Sequence, residues 1–469
     1  MRFRRILLGG CLTLVPGTVH AQLTLSEALR EADRSGFANR IAAATSQADG
    51  ARARLPLKGI LPSARIETGV IRTTDPIGAF GTTLRQRTVS PAAFDPARLN
   101  YPDAITNVQS GVVIEIPLLN GDAWTGYRGA RAAANASRAS GDWVEVTTRT
   151  MVIRAYYGAI LAEEKAQLLE QSHRASVANV RQVQALVDQG LVTKADALQA
   201  SVHAADVASQ RLTAALDSQT AREQLALLLG RQDGSAPVLP PTLPPDSTVR
   251  ALAERDTALL EVPAGRDGTG LTPGVPPRTV LANRADVRAA SSAVSAARAD
   301  QQRAGSTLLP RVNSFARYDW NDPSTIYGGQ KNWTVGVMAS WTLFGGGSEL
   351  ADLAGAKARV ATARAGEEAT RAQAQLDVVT GRRAIVVALQ RLDIATQSAA
   401  QSVEAHRLIG KRYLGGLVTV AELLAAQAQS TASRLAQAAA RYAVIDAMAS
   451  YKRAIGVDPG ALTELENAR

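Results

Sequence analysis

The chain has 469 residues, with 52 Lys and Arg against 42 Asp and Glu, a single cysteine and only 4% aromatics. One cysteine excludes an internal disulfide, and after the leader no run of 18 apolar residues appears, which excludes a transmembrane helix and leaves β-strands as the only way to cross a bilayer. The arginines are scattered among alanines, so the formal net charge of +10 reads as solvated helix faces and not as a nucleic-acid-binding patch.

At the N-terminus Arg2, Arg4 and Arg5 precede a short apolar run from Ile6 to Val15, and Val19-His20-Ala21 is a small-x-small cleavage site. This predicts a secretory signal peptide over residues 1–21. Leu8-Gly9-Gly10-Cys11 gives a competing reading as a lipoprotein cleavage box, with a shorter apolar run before it. Cleavage after Ala21 would remove the cysteine and take the charge from +10 to +7. Thr24, with Glu27 three residues on, is a capping-box start for a first helix.

Two candidate strands follow, about 64–72 after Leu61-Pro62 and about 108–118. In the second, Val112, Ile114 and Ile116 alternate with Gly111, Val113 and Glu115, so the charged Glu115 would face a lumen and not lipid. The connection 73–107 reads as a long polar loop containing Pro76, Pro91, Pro96 and Pro102. Long connections on the outside are a habit of membrane barrels.

From Leu118 to Ala236 there is no proline, and Ala, Gln, Arg, Leu and Glu dominate. Apolar residues step by three and four along Val146, Thr150, Ile153, Tyr157 and Ile160, and again along Leu198, Val202, Ala205, Ser209, Leu212 and Leu216, a coiled-coil pattern. Gly190 interrupts it just before a fresh Leu-Val-Thr start, which predicts a helical hairpin over 122–230 with its tip near 190. An ascending arm of some 65 residues at ~1.5 Å each spans on the order of 100 Å. Residues 231–281, rich in Pro and Gly, read as a linker.

The rest repeats the plan. Strands are predicted at about 311–320, after Leu309-Pro310, and at 333–343, and a proline-free hairpin over 347–456 turns near 416, followed by a tail over 457–469. GLVTKADALQA from Gly190 and GLVTVAELLAA from Gly416 share seven of eleven residues at an offset of 226. The same offset carries Gly129-Ala130-Arg131 onto Gly355-Ala356-Lys357 without a gap. The chain is therefore an internal duplication of a strand–strand–hairpin unit, 22–230 and 282–456. The seam along Leu424, Ala428, Thr431, Leu435, Ala438, Tyr442 and Ile445 repeats the descending seam of the first copy.

In the last strand Trp333 and Trp341 lie on one face, eight residues and about 26 Å apart, matching the ~25 Å apolar band between aromatic girdles of an outer-membrane barrel. A half-buried strand of a soluble sheet has the same alternation. Four strands cannot close a barrel, and an open sheet in lipid leaves edge amides unsatisfied, so the chain is expected to oligomerise. Three copies give a 12-stranded β-barrel continued by an α-helical tunnel; two or four copies satisfy the same requirement.

In that order the features resemble the TolC-type outer-membrane efflux family over essentially the whole mature length. The carriers are LTLSEAL from Leu23, NRADVRAA at Asn283, the Leu-Pro before each first strand, and the junctions PLLNG at Pro117 and TLFGGG at Thr342. The resemblance implies a mostly α protein, with four strands per chain completing the trimeric barrel. It would be a homotrimeric tunnel, open outside and constricted at the periplasmic hairpin tips, with its barrel in outer-membrane lipid. It would be a passive exit duct of a tripartite efflux or type I secretion system, docked to a periplasmic adaptor and an inner-membrane transporter of the RND or ABC type. At the tips Glu422 stands where the family has a first acidic ring residue, and Tyr413 and Asp196 match a tyrosine and an aspartate of its closing network. Val418 stands in place of the network's arginine and Ala425 in place of a second acid. Gly190, Leu191, Val192 and Thr193, with Gly416, Leu417, Val418 and Thr419, are the expected adaptor contact.

No enzymatic site is expected. GGGSEL at Gly345 lacks the Gly-Lys-Ser/Thr ending of a phosphate loop, and His173, His203 and His406 show no metal-ligand spacing. No cofactor and no nucleic-acid partner are expected. Two other classes compete. A periplasmic adaptor carries one hairpin flanked by β-domains, against two hairpins here, and a structural coiled-coil protein leaves the Trp333 strand unexplained.

Overall fold

The computed structural model describes residues 22–232, 235–258 and 281–467. The leader with Cys11 and Ala21, and the linker from residue 259 to residue 280, lie outside them. In chain order the elements are α1 (Leu25–Ser35), α2 (Phe37–Arg52), β1 (Ser63–Thr73), α3 (Pro76–Arg85), α4 (Pro96–Asn100), β2 (Ile105–Leu119), α5 (Gly121–Asp188) and α6 (Lys194–Leu229). They continue with α7 (Asp246–Ala258), α8 (Ala285–Ser306), β3 (Arg311–Asp322), β4 (Gln330–Ser340), α9 (Ser348–Leu414), α10 (Val420–Ala454) and α11 (Glu464–Asn467). The chain divides into two compact units, one of Ile41–Val144 with Pro276–Leu376 and one of Met1–Arg40, Glu145–Val275 and Asp377–Arg469.

The first unit holds an antiparallel sheet in the order β1-β2-β3-β4. Its register aligns Ile66, Val112, Tyr318 and Trp333 across the four strands, and likewise Ala64, Ile114, Ala316 and Val335. One residue along, Arg65, Val113, Arg317 and Thr334 share the opposite face with Glu67, Gly111, Asp319 and Asn332. One face is thus apolar with aromatics, and the other is charged. Across the charged face Arg65 reaches Glu67 at 2.8 Å and Glu115 at 3.6 Å, while Arg317 reaches Asp319 at 2.8 Å and Glu67 at 3.7 Å. Glu115 lies on this charged face, opposite in pleat to Ile114 and Ile116. The apolar face is the more exposed, with Ile66, Val70, Trp333, Val335 and Val337 each at least 65% accessible.

The last strand differs from the expected 333–343. It ends at Ser340, opposite Arg311, because the next residue back on β3's side is Pro310, which has no N–H to extend the ladder. Trp341 therefore lies just off the strand, where its indole N–H donates to the Leu308 carbonyl at 3.1 Å. The loop 73–107 is more ordered than a polar loop, since α3 starts on the Asp75 cap with Pro76 in its first turn, and α4 starts on Asp95 with Pro96. Of the prolines that suggested loop, Pro76, Pro91 and Pro96 open helical turns and Pro102 does not.

In the second unit the capping box at Thr24 and Glu27 is present. The middle of α5 packs against α10, with Val152, Ile153, Tyr157 and Ile160 of α5 and Val444, Ile445 and Met448 of α10 buried. Arg154 pairs with Asp446, and Tyr442 donates to the Arg154 carbonyl at 3.3 Å. Farther along, Gln427 donates to the Ser172 carbonyl at 3.3 Å and to Ser176 Oγ at 3.2 Å, and it accepts from Asn179 at 2.6 Å. The two copies of the duplicated seam differ here. Leu424 and Ala438 are 6% and 1% accessible, whereas their repeat equivalents Leu198 and Leu212 are 60% and 62% accessible.

Within the linker between the repeats, α7 docks on the second hairpin. At its start Asp246 accepts from Arg441 at 2.6 Å, Gln437 at 2.8 Å and Thr396 at 2.9 Å. Near its end Asp256, 4% accessible, meets Lys452 at 2.8 Å. Lys452→Met keeps the aliphatic stem and strands the Asp256 carboxylate. The expected cost is about 3 kcal/mol, the low end for breaking a buried pair, because Arg255 stands 3.9 Å away. A lowered urea midpoint by circular dichroism in detergent would report it, and adding Asp256→Asn should recover most of the loss.

Candidate functional site

Each hairpin turns in the same way. At Gly190 (φ 71°) and Gly416 (φ 70°) the chain takes the left-handed conformation, with open space where a Cβ would sit, so glycine is there for its backbone and not for room. Leu191 N–H donates back to the Leu186 carbonyl at 2.9 Å and Leu417 N–H to the Arg412 carbonyl at 3.0 Å, a Schellman stop in both copies. Three residues after each glycine the next helix begins on a full capping box. The pairs are Thr193 with Asp196 and Thr419 with Glu422.

Those boxes explain both acids locally. The Thr193 hydroxyl and backbone N–H hold Asp196 below its ordinary carboxylate value, and the Thr419 backbone N–H and hydroxyl do the same for Glu422. Both therefore carry charge at neutral pH, whatever further part they play.

The two tips pack on each other. Val183 of α5, Ala197 and Ala200 of α6, Tyr413 of α9 and Val420, Leu423 and Leu424 of α10 form a buried cluster, with Val192 and Val418 against it. Beside it lies a cleft of about 500 Å³ whose walls include Leu191, Val192, Asp196, Tyr413, Val418 and Thr419. Tyr413 is 8% accessible, its hydroxyl has no hydrogen-bond partner among the described residues, and burial, with a smaller effect of Asp196, pushes its pKa up. The structure thus brings Asp196, Tyr413 and Val418 together. It leaves Glu422, Gly190 and Leu417 outside the cleft wall, with Leu191 and Leu417 exposed at 68% and 71%. Sequence reasoning missed Gln182, Leu186, Leu414 and Val420 in that wall. The first three have as their only signal their place within the last turns before each glycine, and Val420 its place just after the Thr419 cap.

Aromatics at the ends of the sheet extend beyond Trp333 and Trp341. Tyr318, Trp320 and Tyr327 form edge-to-face contacts at 4.9 and 5.8 Å at the loop end of the sheet, the end that holds Trp333. At the helix end Trp341, Phe344 and Trp124 are all at least 55% accessible. Aromatics therefore bracket an exposed apolar face at both ends, the pattern of a strand set in lipid. Among the described residues no helix is long and apolar enough to cross a membrane.

The family model for outer membrane efflux proteins matches residues 81–231 and 277–457, well over half the chain. The chain belongs to this TolC-type outer-membrane efflux family. No curated protein matches it significantly. Solved structures share its fold. A membrane protein from Pseudomonas aeruginosa aligns at 20% identity with a TM-score of 0.76, covering 92% of each chain. The outer membrane channel CmeC of Campylobacter jejuni aligns at 15% identity and 0.76, covering 95% of this chain and 89% of that one. VceC of Vibrio cholerae aligns at 18% and 0.72, covering 92% and 96%. As a member of the family the chain is an outer-membrane channel protein for efflux, with its helical part in the periplasm, and is not an enzyme.

Proposed function

We propose that three copies of the chain form a closed duct that exports cargo as the outer-membrane part of a tripartite system. The carrying observation is the sheet. Its faces are segregated into an exposed apolar, aromatic-bracketed side and an ion-paired side, and among the described residues β1 and β4 each pair on one side only. Both edge strands have 11 residues, so β4 of one copy matches β1 of the next, and three such joins make a 12-stranded barrel without free edges. The duplication supports the same closure below the membrane. Within one chain α5 packs on α10, and the repeat of that pairing is α9 on α6, whose apolar seam lies open within the protomer. That seam on a neighbour's α9 completes a ring. Electron-microscope imaging of the detergent-extracted particle tests this. A threefold rod is expected, and a monomer or a twofold particle overturns the closure.

The tips are then the closed end. The cleft holding Tyr413 and Asp196, beside the exposed Leu191 and Leu417, is the adaptor-docking surface, and ionised Asp196 and Glu422 ring the constriction. Gly190, Val192 and Thr193, with Gly416, Val418 and Thr419, shape that surface. An inner-membrane transporter of the RND or ABC type supplies the energy, and spreading of the tips opens the duct. Val418→Arg would put a guanidinium beside Asp196 and the unpartnered Tyr413 hydroxyl. A charge-assisted hydrogen bond contributes about 1.5–3 kcal/mol, so the open fraction should fall roughly tenfold or more. Single-channel recording in planar bilayers checks it, and an unchanged open probability would remove these residues from the gate.

A further inference from the structure

The connection between β1 and β2 is anchored on the wrong side for an external loop. Gln86, at the end of α3, donates to the Thr106 carbonyl at 2.8 Å and to Asn107 Oδ1 at 3.0 Å, and Asn107 donates on to Asn321 Oδ1 at 2.9 Å. Asn107 and Asn321 are each 2% accessible and Gln86 6%. By strand alternation both asparagines belong to the charged face of the sheet, with Glu67, Arg65, Arg317 and Asp319. Arg87, at φ 56°, reaches the Lys331 carbonyl of β4 at 3.4 Å. The segment therefore crosses β2, β3 and β4 on the lumenal side of their outer ends. Buried Ala79 and Thr82 form the inner side of α3, and Phe80 stacks edge-to-face on Phe94 at 5.9 Å. The opposite side of α3 carries Ile77 and Leu84, one heptad apart and 85% and 52% accessible.

An eight-stranded barrel is filled by its own side chains, whereas larger ones leave a lumen. In a 12-stranded barrel a helix of ~10 Å diameter on the inner wall of each copy occupies much of that lumen. With Ala79, Thr82 and Gln86 on its wall side, α3 turns Ile77 and Leu84 away from the sheet, and in a closed barrel that direction is toward the axis and the other copies. Two large apolar side chains left open to a water-filled pore would forgo the burial that three converging copies provide.

We propose that the segment Asp75–Pro102 is an outer lid: the α3 helices of three copies meet through Ile77 and Leu84 and close the extracellular mouth of the barrel. This rests on the channel reading above, and it replaces the expected open outer end with a second closure, so that export requires movement at both ends. A large cargo would have to displace the Gln86–Asn107–Asn321 chain of hydrogen bonds, while the barrel strands stay in place.

The test is labelling of whole cells from outside. Thr334→Cys lies on the lumenal face inside the lid, and Val335→Cys on the opposite, lipid side. A small membrane-impermeant maleimide and a bulky polyethylene-glycol maleimide are compared at Thr334→Cys in three backgrounds. These are the parent lid, the Ile77→Asp/Leu84→Asp lid, and a lid with residues 76–102 replaced by a short Gly-Ser turn. In the parent, the bulky reagent should fall to background while the small one labels. Both altered lids should bring bulky labelling up to the level of the small reagent, because three pairs of carboxylates at the axis repel. Equal labelling of the parent by both reagents overturns the lid, as does a block that survives lid replacement. Opening by replacement but not by the two aspartates overturns the contact through Ile77 and Leu84. Failure of the small reagent at Thr334→Cys, with labelling at Val335→Cys, would instead overturn the channel reading.

Discussion

Val337→Arg will remove the protein from the outer membrane, and Thr334→Arg will not. Val337 lies midway between Trp333 and Trp341, 67% accessible in the protomer and on the apolar face with both Trp333 and Val335. If that face meets lipid, an arginine there sits near the bilayer midplane and costs about 2–4 kcal/mol per copy, or roughly three times that for a trimer. Thr334 points the other way, onto the charged face with Arg317 and Asn332, where the proposed lumen would hydrate another charge. A soluble sheet makes the opposite forecast, since an arginine at a 67% accessible position is nearly neutral there. The measurement is the fraction of each variant recovered in outer-membrane vesicles. Equal recovery of the two variants would mean the apolar face does not contact hydrocarbon.

The pattern that makes this test possible was written in the sequence, because strand alternation and helix periodicity are local. Leu-Pro marked the start of each first strand, and the repeated Gly-Leu-Val-Thr marked both tips to within a residue, since a left-handed stop followed by a capping box requires those residue types. What the sequence did not reveal depended on distant partners. The alternation of the last strand runs two residues past Trp341, while the pairing stops where Pro310 withholds its N–H. The helix α3 reads as loop, and α7 stays hidden within the linker, because the prolines at their edges look alike whether they break a helix or begin one. The Tyr413 hydroxyl, without a partner among the described residues, and the bonding of Gln86 to Thr106 and Asn107 are tertiary facts with no local signature. The largest gap concerns the duplicated seams. Leu198 and Leu424 occupy the same place in the repeat and the same heptad phase, so periodicity assigns them the same burial, yet only Leu424 finds a partner inside its own chain.

That asymmetry yields the second large effect. Leu198→Asp/Leu212→Asp should leave the protomer folded and abolish its assembly. Both leucines are about 60% accessible in the single chain, so neither substitution exposes a core or creates a cavity there. In the ring they would be covered as Leu424 and Ala438 already are, and burying each leucine contributes about 1.5–3 kcal/mol. Losing two at each of three interfaces removes roughly 9–18 kcal/mol, before the cost of desolvating six carboxylates is counted. The matched substitution Leu424→Asp acts differently. It places a carboxylate in the cluster with Tyr413 and Val183 and should unfold the tips of the protomer itself. Native mass spectrometry and circular dichroism of the detergent-extracted protein separate the two. The α6 variant should be monomeric with its full helical signal, and Leu424→Asp should lose part of that signal whatever its oligomeric state. A trimer of undiminished stability from the α6 variant would mean that this seam faces water in the assembly. The pairing of α9 with a neighbour's α6 would then be wrong even if the barrel above it closes as proposed.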